Sequence, residues 1–208
     1  MEQARIIGGS VEEHETIGST NDRILELAAA GAPEGTVVTA RAQSAGRGRL
    51  GRQWRSGAGK GLYLSVLLRP CLPAGALGLL SLAAGAAVRR TLARTCGLAG
   101  QIKWPNDVLV GGRKIAGVLI EGRSGAGGRH ILAVGIGINT DWEEADREGE
   151  FRVPPTAVNL ETGAAAPLPE LRDGLLAALD SLYRELQADE GAALLAEVHE
   201  HLHRRGET

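Results

Sequence analysis

An α+β fold, a mixed β-sheet flanked by helices, is what the order of patterns along this chain predicts. Three observations carry that reading. Leu62, Leu64, Val66 and Leu68 alternate cleanly and mark a strand ahead of Pro70. Further β-type runs, Gln101–Trp104, Val108–Val110, Ile115–Glu121 and His130–Asn139, follow an alanine-rich apolar stretch. Helical spacing returns at the end, where Leu168 to His203 reads as one or two amphipathic helices.

Taken in order, Ser19-Thr20-Asn21-Asp22 opens the first helix, with Ser19 as N-cap and Asp22 suited to the positive end of the helix dipole. Ile24, Leu27 and Ala28 recur at helical spacing, and Gly31 supplies the stop. Thr36–Arg41 is a short β-rich run. Gln43 to Lys60 has no apolar period and is built largely from Gly, Arg, Ser and Gln. The most apolar stretch, Ala74–Val88, meets Arg89, Arg90 and Arg94 before the roughly 20 apolar residues that a bilayer crossing needs, so it reads as a buried helix. Gly111-Gly112 makes a hairpin turn and Gly122–Gly128 another glycine-rich turn. Asp141–Pro155, acidic and proline-terminated, reads as a surface loop. No repeat and no long linker divides the chain.

Composition narrows the function classes. Lys plus Arg total 23 against 25 for Asp plus Glu, a formal charge of −2, which excludes a general binder of nucleic acid or anionic membrane. Apolar residues at 43% suffice for a core, and aromatics at 3% leave it to Leu, Val, Ile and Ala. Cys71 and Cys96 stand in no CxxC or CxxH spacing, which excludes a disulfide scaffold and a thiolate zinc ribbon and fits a reducing compartment. The first residues form no apolar signal-like run, so a cytoplasmic protein without a membrane segment is expected.

Three constellations could carry chemistry. Gly46-Arg47-Gly48-Arg49-Leu50-Gly51-Arg52-Gln53-Trp54 combines backbone freedom with permanently charged forks suited to phosphate or carboxylate. The bland alternatives are a solvated loop or an RNA-binding tract. Lys103-Trp104-Pro105-Asn106-Asp107, followed by Arg113-Lys114-Ile115-Ala116-Gly117, gathers a cation, an amide and a carboxylate at one strand end, a place for a nucleotide and its metal. Val134–Asn139 puts Gly135, Gly137 and Asn139 on one strand face, so a ligand or a neighbouring helix packs directly on the backbone. His199-Glu200-His201-Leu202-His203 matches the H-E-x-x-H zinc signature, but a charged helix end is the better reading. His14 and His130 stand alone and read as surface or strand residues.

Together, Ser19-Thr20-Asn21, Gln43, Gly46–Trp54, Lys103–Asp107, Arg113–Gly117 and Gly135–Asn139 resemble biotin protein ligase, also called biotin–[acetyl-CoA-carboxylase] ligase, from roughly Thr16 to Asn139. The resemblance implies a mixed sheet related to the cores of class II aminoacyl-tRNA synthetases. It implies activation of biotin by ATP with Mg²⁺ to biotinyl-5′-AMP, then transfer to a lysine of a biotin carboxyl carrier protein. Cations are what a carboxylate attacking a triphosphate requires. By matching positions, Ser19, Thr20, Asn21 and Gln43 would bind the biotin ureido end, and Arg47, Gly48 and Arg49 would close over biotin and the adenylate. Arg52 would face the phosphates, and Trp54 would order the loop on the ligand. Lys114, with Arg49, would carry the catalytic charge. Asn106 and Asp107 would serve ATP, Asp107 also its Mg²⁺, and Asn139 the adenylate side. Gly117, Gly135 and Gly137 would give the ligand room on the sheet.

Two departures from the pattern stand out. Leu50 occupies a position where some relatives carry a fourth arginine, so it has no ligand role here. Only 18 residues precede Ser19, too few for the winged helix-turn-helix of the repressor members, so a monofunctional enzyme without DNA binding is expected. Residues 1–200 would form the catalytic domain and 201–208 a stub where relatives begin a small SH3-like domain. A homodimer remains open. A lipoate or octanoyl ligase is the nearest enzyme alternative, and a non-catalytic biotin or RNA binder the alternative of another class.

Overall fold

In a computed structural model that describes residues 5–124, 130–189 and 191–203, seven strands form one mixed sheet in the order β1-β2-β3-β7-β6-β5-β4. The strands are β1 (Val11–Ile17), β2 (Val37–Gln43), β3 (Gly61–Leu68), β4 (Gln101–Lys103), β5 (Asp107–Val110), β6 (Arg113–Ser124) and β7 (His130–Asn139). Only β1 and β2 run parallel; every other pairing between these strands is antiparallel. The described helices are α1 (Thr20–Ala29), α2 (Leu77–Cys96), α3 (Val158–Thr162), α4 (Leu168–Asp189) and α5 (Ala192–Glu200).

The two faces of the sheet are covered unequally, and this creates the cleft. On one face α2, α4 and α5 bury Leu64, Val66, Ile136 and Ile138 in the main core. The run Ala83-Ala84-Gly85-Ala86-Ala87 gives α2 a smooth surface that lies close to the strands; a Cβ at Gly85 would sit 3.9 Å from Ile102 and Val108. Glu197 clamps α5 onto α2 between Arg89 and Arg90. On the other face Ile24 and Ala28 of α1 pack on Val38, Leu67 and Ala133. With ten residues, α1 is about 15 Å long and covers only part of that face. The β6–β7 side is left to loops.

All eight positions of β3 are buried, so its alternation reports two buried faces rather than one wet and one dry. Gly111 and Gly112 have φ of +55° and +75°, as a type I′ hairpin requires. The chain's β1 is absent from the sequence reading because Glu12, Glu13, His14 and Glu15 hide its period; it is an edge strand with half-exposed side chains. The five-residue α3 is too short to show a period. Strand β6 runs on to Ser124, so Gly122 lies in a strand, and 125–128 of the expected turn lie outside the described residues. Leu168 to His203 resolves into two helices parted at Gly191, whose φ is +85°.

Helix α5 ends at Glu200, so His199 and His203 of the zinc-like signature do not share one helix. Instead the backbone at 201–203 pairs with β4: Ile102 donates to His201 O at 2.9 Å and His203 N to Ile102 O at 2.8 Å. His130 is buried in β7 with Nε2 2.9 Å from Leu72 O, and His14 lies on β1 beside Glu12. None of the described helices is long and apolar enough to cross a membrane.

Candidate active site

Strand register lays two rows of mostly small or polar residues across the open face. Tyr63, Gly137, Gly117 and Asp107 line up on β3, β7, β6 and β5, and Ser65, Gly135 and Leu119 form the next row. A cleft of about 1370 Å³ opens above them, bordered by Gly46–Trp54, the Lys103–Asp107 turn and the segment Gly149–Pro155.

At one end the start of α1 makes a polar nook. Ser19 stands at the N-cap as expected and is buried, but its side chain makes no capping bond. The Thr20 backbone N–H and hydroxyl donate to Gln43 Oε1 at 2.9 and 3.1 Å, while Gln43 Nε2 donates to Ser56 at 3.0 Å. The Ser65 hydroxyl donates to Asn21 Oδ1 at 2.6 Å and lies 2.7 Å from Thr20 Oγ1. Asn21 Nδ2 donates to Glu121 at 2.8 Å. Ser65 and Glu121 were not among the expected site residues; a serine inside the apolar β3 run is the signal that could have found the first. Nothing local distinguishes Glu121.

The glycines clear space, but protein side chains fill it. A Cβ at Gly135 would lie 2.4 Å from Asn21 Oδ1, one at Gly137 2.6 Å from the Trp54 indole, and one at Gly117 3.0 Å from the same ring. Of the two readings of the Val134–Asn139 face, helix packing is therefore right at Gly135. The indole lies on the sheet with Lys114 Nζ 5.2 Å from its ring centroid, and its Nε1 is buried without a partner.

Gly46–Trp54 is not irregular: it folds back on itself, with Trp54 N donating to Gly46 O at 3.0 Å and Gly48 N to Arg52 O at 2.7 Å. Arg47 lines the cleft and forks onto Asp22, at 2.8 and 2.5 Å, and onto Glu121, at 3.3 and 3.1 Å. That bond holds the Asp22 carboxyl below its usual range. Arg49 Nη1 donates to Asn106 Oδ1 at 3.3 Å, so the loop touches the Lys103–Asp107 turn. Arg52 is exposed and makes no side-chain bond among the described residues.

Two further expected residues already meet partners within the fold. Asp107, expected to hold a metal, grips Lys114 Nζ at 2.6 Å and lies 3.6 Å from Lys103 Nζ. Two ammonium groups already balance its charge, and no group of three or more His, Cys, Asp or Glu among the described residues is arranged for a metal. Mg²⁺ takes one or two carboxylates together with substrate phosphates, and Asp107 is the carboxylate that this end of the cleft offers. Asn139, expected on the adenylate side, lines the cleft and is buried, with Nδ2 donating to Thr156 O at 2.9 Å. Asn106 splits its amide between Arg49 and Val118 O, the latter at 2.9 Å.

The opposite wall is the acidic segment expected to be a plain surface loop. It contains a 3-10 turn, Glu144–Arg147, and a buried Trp142 whose indole donates to Lys60 O at 3.0 Å. Arg55 Nη1 donates to Asp146 O at 3.1 Å and Glu148 O at 3.0 Å, and its guanidinium lies 4.8 Å from the Phe151 ring centroid. Lys60 bonds Glu143 at 3.0 Å and Asp146 at 2.9 Å. Phe151 and Arg152 face the cleft from this wall and carried no sequence signal.

The arrangement is a polar nook, an indole-lined floor and a cluster of cations, which suits a ligand polar at one end and anionic at the other. Residues 14–140 match the biotin/lipoate A/B protein ligase family. The chain is 33% identical over 183 residues to the bifunctional ligase/repressor BirA of Bacillus subtilis, covering 88% of this chain and 56% of that protein. It is 41% identical over 158 residues to the biotin–[acetyl-CoA-carboxylase] ligase of Paracoccus denitrificans, covering 74% and 65%. The chain thus spans little more than half the length of these curated relatives. Its fold matches a biotin protein ligase from Aquifex aeolicus in complex with biotin and ATP, at TM-score 0.81 and 28% identity over 96% of this chain and 81% of that one. A biotin protein ligase from Leishmania major in complex with biotinyl-5-AMP matches at 0.75 and 25%, over 97% and 87%. The chain belongs to the biotin/lipoate A/B protein ligase family.

Proposed function

We propose that the chain is a cytoplasmic, ATP-dependent biotin ligase that makes biotinyl-5′-AMP and transfers the biotinyl group to a lysine of a biotin carboxyl carrier domain. The observation that carries this is the joining, in one cleft, of the Thr20–Gln43–Ser65 polar nook to the cations Lys114, Arg49 and Arg52. Ser19, Thr20, Asn21 and Gln43 hold the ureido ring, and the Trp54 indole over Gly117 and Gly137 lines the slot for the aliphatic chain. A biotin carboxylate oxygen attacks the α-phosphorus, the bond to the β-phosphate oxygen breaks, and pyrophosphate leaves. Lys114, steadied by Asp107, offsets the repulsion between the two anions, and Arg49 and Arg52 meet the phosphates. In the second step a neutral lysine amine attacks the acyl carbon, AMP leaves with the bonding pair, and the amine's extra proton passes to solvent.

The test is pyrophosphate release from ATP, in magnesium buffer, with and without biotin. Release that depends on biotin and not on lipoate supports the reading. No release above the biotin-free control from folded protein overturns it, and release with lipoate instead moves the chain to the other branch of its family.

A further inference from the structure

The mouth of the cleft carries two large apolar side chains that the chemistry does not use. Leu50, at the tip of Gly46–Trp54, is 85% exposed, and Trp104 is 71% exposed; no other large hydrophobic among the described residues is as exposed. Leu50 also has φ +60° and ψ +38°, and it is the one described non-glycine residue with positive φ. A left-handed backbone is unfavourable for a residue with a Cβ, and a leucine held out in water gains nothing from burial. Beside them stands Arg152, exposed and without a side-chain partner among the described residues. Glu150 is the exposed acid on the same rim.

We propose that Leu50, Trp104 and Arg152 form the docking surface for the acceptor protein, a lysine-bearing domain with an acidic surface around its lysine. The proposal rests on the ligase reading. A lysine reaches the cleft only by its four-carbon stem, so the backbone that carries it must sit on this rim. Exposed apolar side chains serve as anchors for a protein surface, and an unpaired cation steers and orients an acidic one. A small ligand inside the cleft has no use for a leucine that is almost wholly in solvent.

The experiment separates the two steps in the full chain. Biotin-dependent pyrophosphate exchange reports adenylation, hydroxylamine trapping reports transfer to a small nucleophile, and a purified biotin carboxyl carrier domain reports transfer to protein. Leu50→Asp and Trp104→Ala should leave the first two within about twofold and raise KM for the carrier by about tenfold or more. Leu50→Gly relieves the backbone and removes only the side chain, and it should raise the same KM by about fivefold. A carrier KM within about twofold of wild type in all three variants overturns the docking surface. So does an equal loss in all three assays, since Leu50 and Trp104 would then serve the small ligand. If Leu50→Asp instead breaks a dimer seen by sedimentation, with carrier KM unchanged, the surface belongs to a second copy and the assignment falls. Absence of exchange in the wild-type chain overturns the ligase reading itself, a separate outcome.

Discussion

The two walls of the cleft are built on opposite plans. Gly46–Trp54 is cationic, closes on its own backbone, and is fastened outward by Arg47 to Asp22 and Glu121. Asp141–Pro155 carries six carboxylates and two arginines, and is held from outside by Arg55, Lys60 and Asn159, with Trp142 tucked beneath it. Its far end is pinned to β6 at Lys114, which donates to Pro154 O and accepts from Thr156 N, both at 2.8 Å. The first wall lines the cleft with charge, and the second gives it shape. A wall that works through its own residue types shows them in sequence, whereas a wall held in place by distant residues does not.

That contrast can be broken by experiment, and the largest effect should come from the charge. Lys114→Gln keeps length and polarity, and biotin-dependent pyrophosphate release should fall at least about tenfold, or about 1.4 kcal/mol of transition-state stabilisation. A near-normal rate would make Lys114 an ordinary strand-end lysine held by Asp107. Arg49→Gly comes next. It removes the contact with Asn106 and frees the loop, so the reactive mixed anhydride should escape faster. Biotin incorporated into albumin, at matched adenylate production, should rise about fivefold; no rise would shift the fastening to Arg47, Arg52 or Trp54.

The shaping wall should respond differently. In Arg55→Ala, amide exchange over Glu144–Glu150 should quicken about threefold while Arg47–Arg52 stays unchanged. Equal quickening in both would show one cooperative unit and erase the contrast. The smallest effect is that of pH. The Arg47 hydrogen bond lowers the Asp22 carboxyl below its ordinary 3.8. A depressed folded value means the stabilisation is whole above the ordinary value and is lost as pH falls through the folded one. Exchange in Arg47–Arg52 at matched chemical rate should therefore stay flat from about pH 8 to 5 and rise only in stronger acid. Asp22→Asn should abolish that acid dependence.

Much of the sheet was legible because its strands are apolar and punctuated by glycine. The span His130–Asn139 is read and built with the same bounds. Strand β1 was not, since four consecutive charged or ionisable residues on an edge strand leave no hydrophobic period. Within the site, Gly46–Trp54 and Lys103–Asp107 stood out by composition, and the structure brings both to one cleft. Arg55, Phe151 and Glu121 did not stand out, because each is ordinary in its local context and gains meaning only from a partner across the fold.

By itself the sequence determined the α+β class, the glycine-arginine loop, the polar start of α1 and the lysine-rich strand ends. These follow from periodicity, backbone freedom and residue chemistry, which act over a few neighbouring positions. Tertiary structure alone decided which partner each of those groups meets. Asp107 is taken by Lys114, Arg47 by Asp22 and Glu121, Asn139 by the backbone at Thr156, and the space above Gly137 by Trp54. Arg52 and Arg152 are left unpaired among the described residues. The reason is physical: charge pairing and close packing join residues far apart in sequence, and only strand register and the choice of sheet face settle which ones meet.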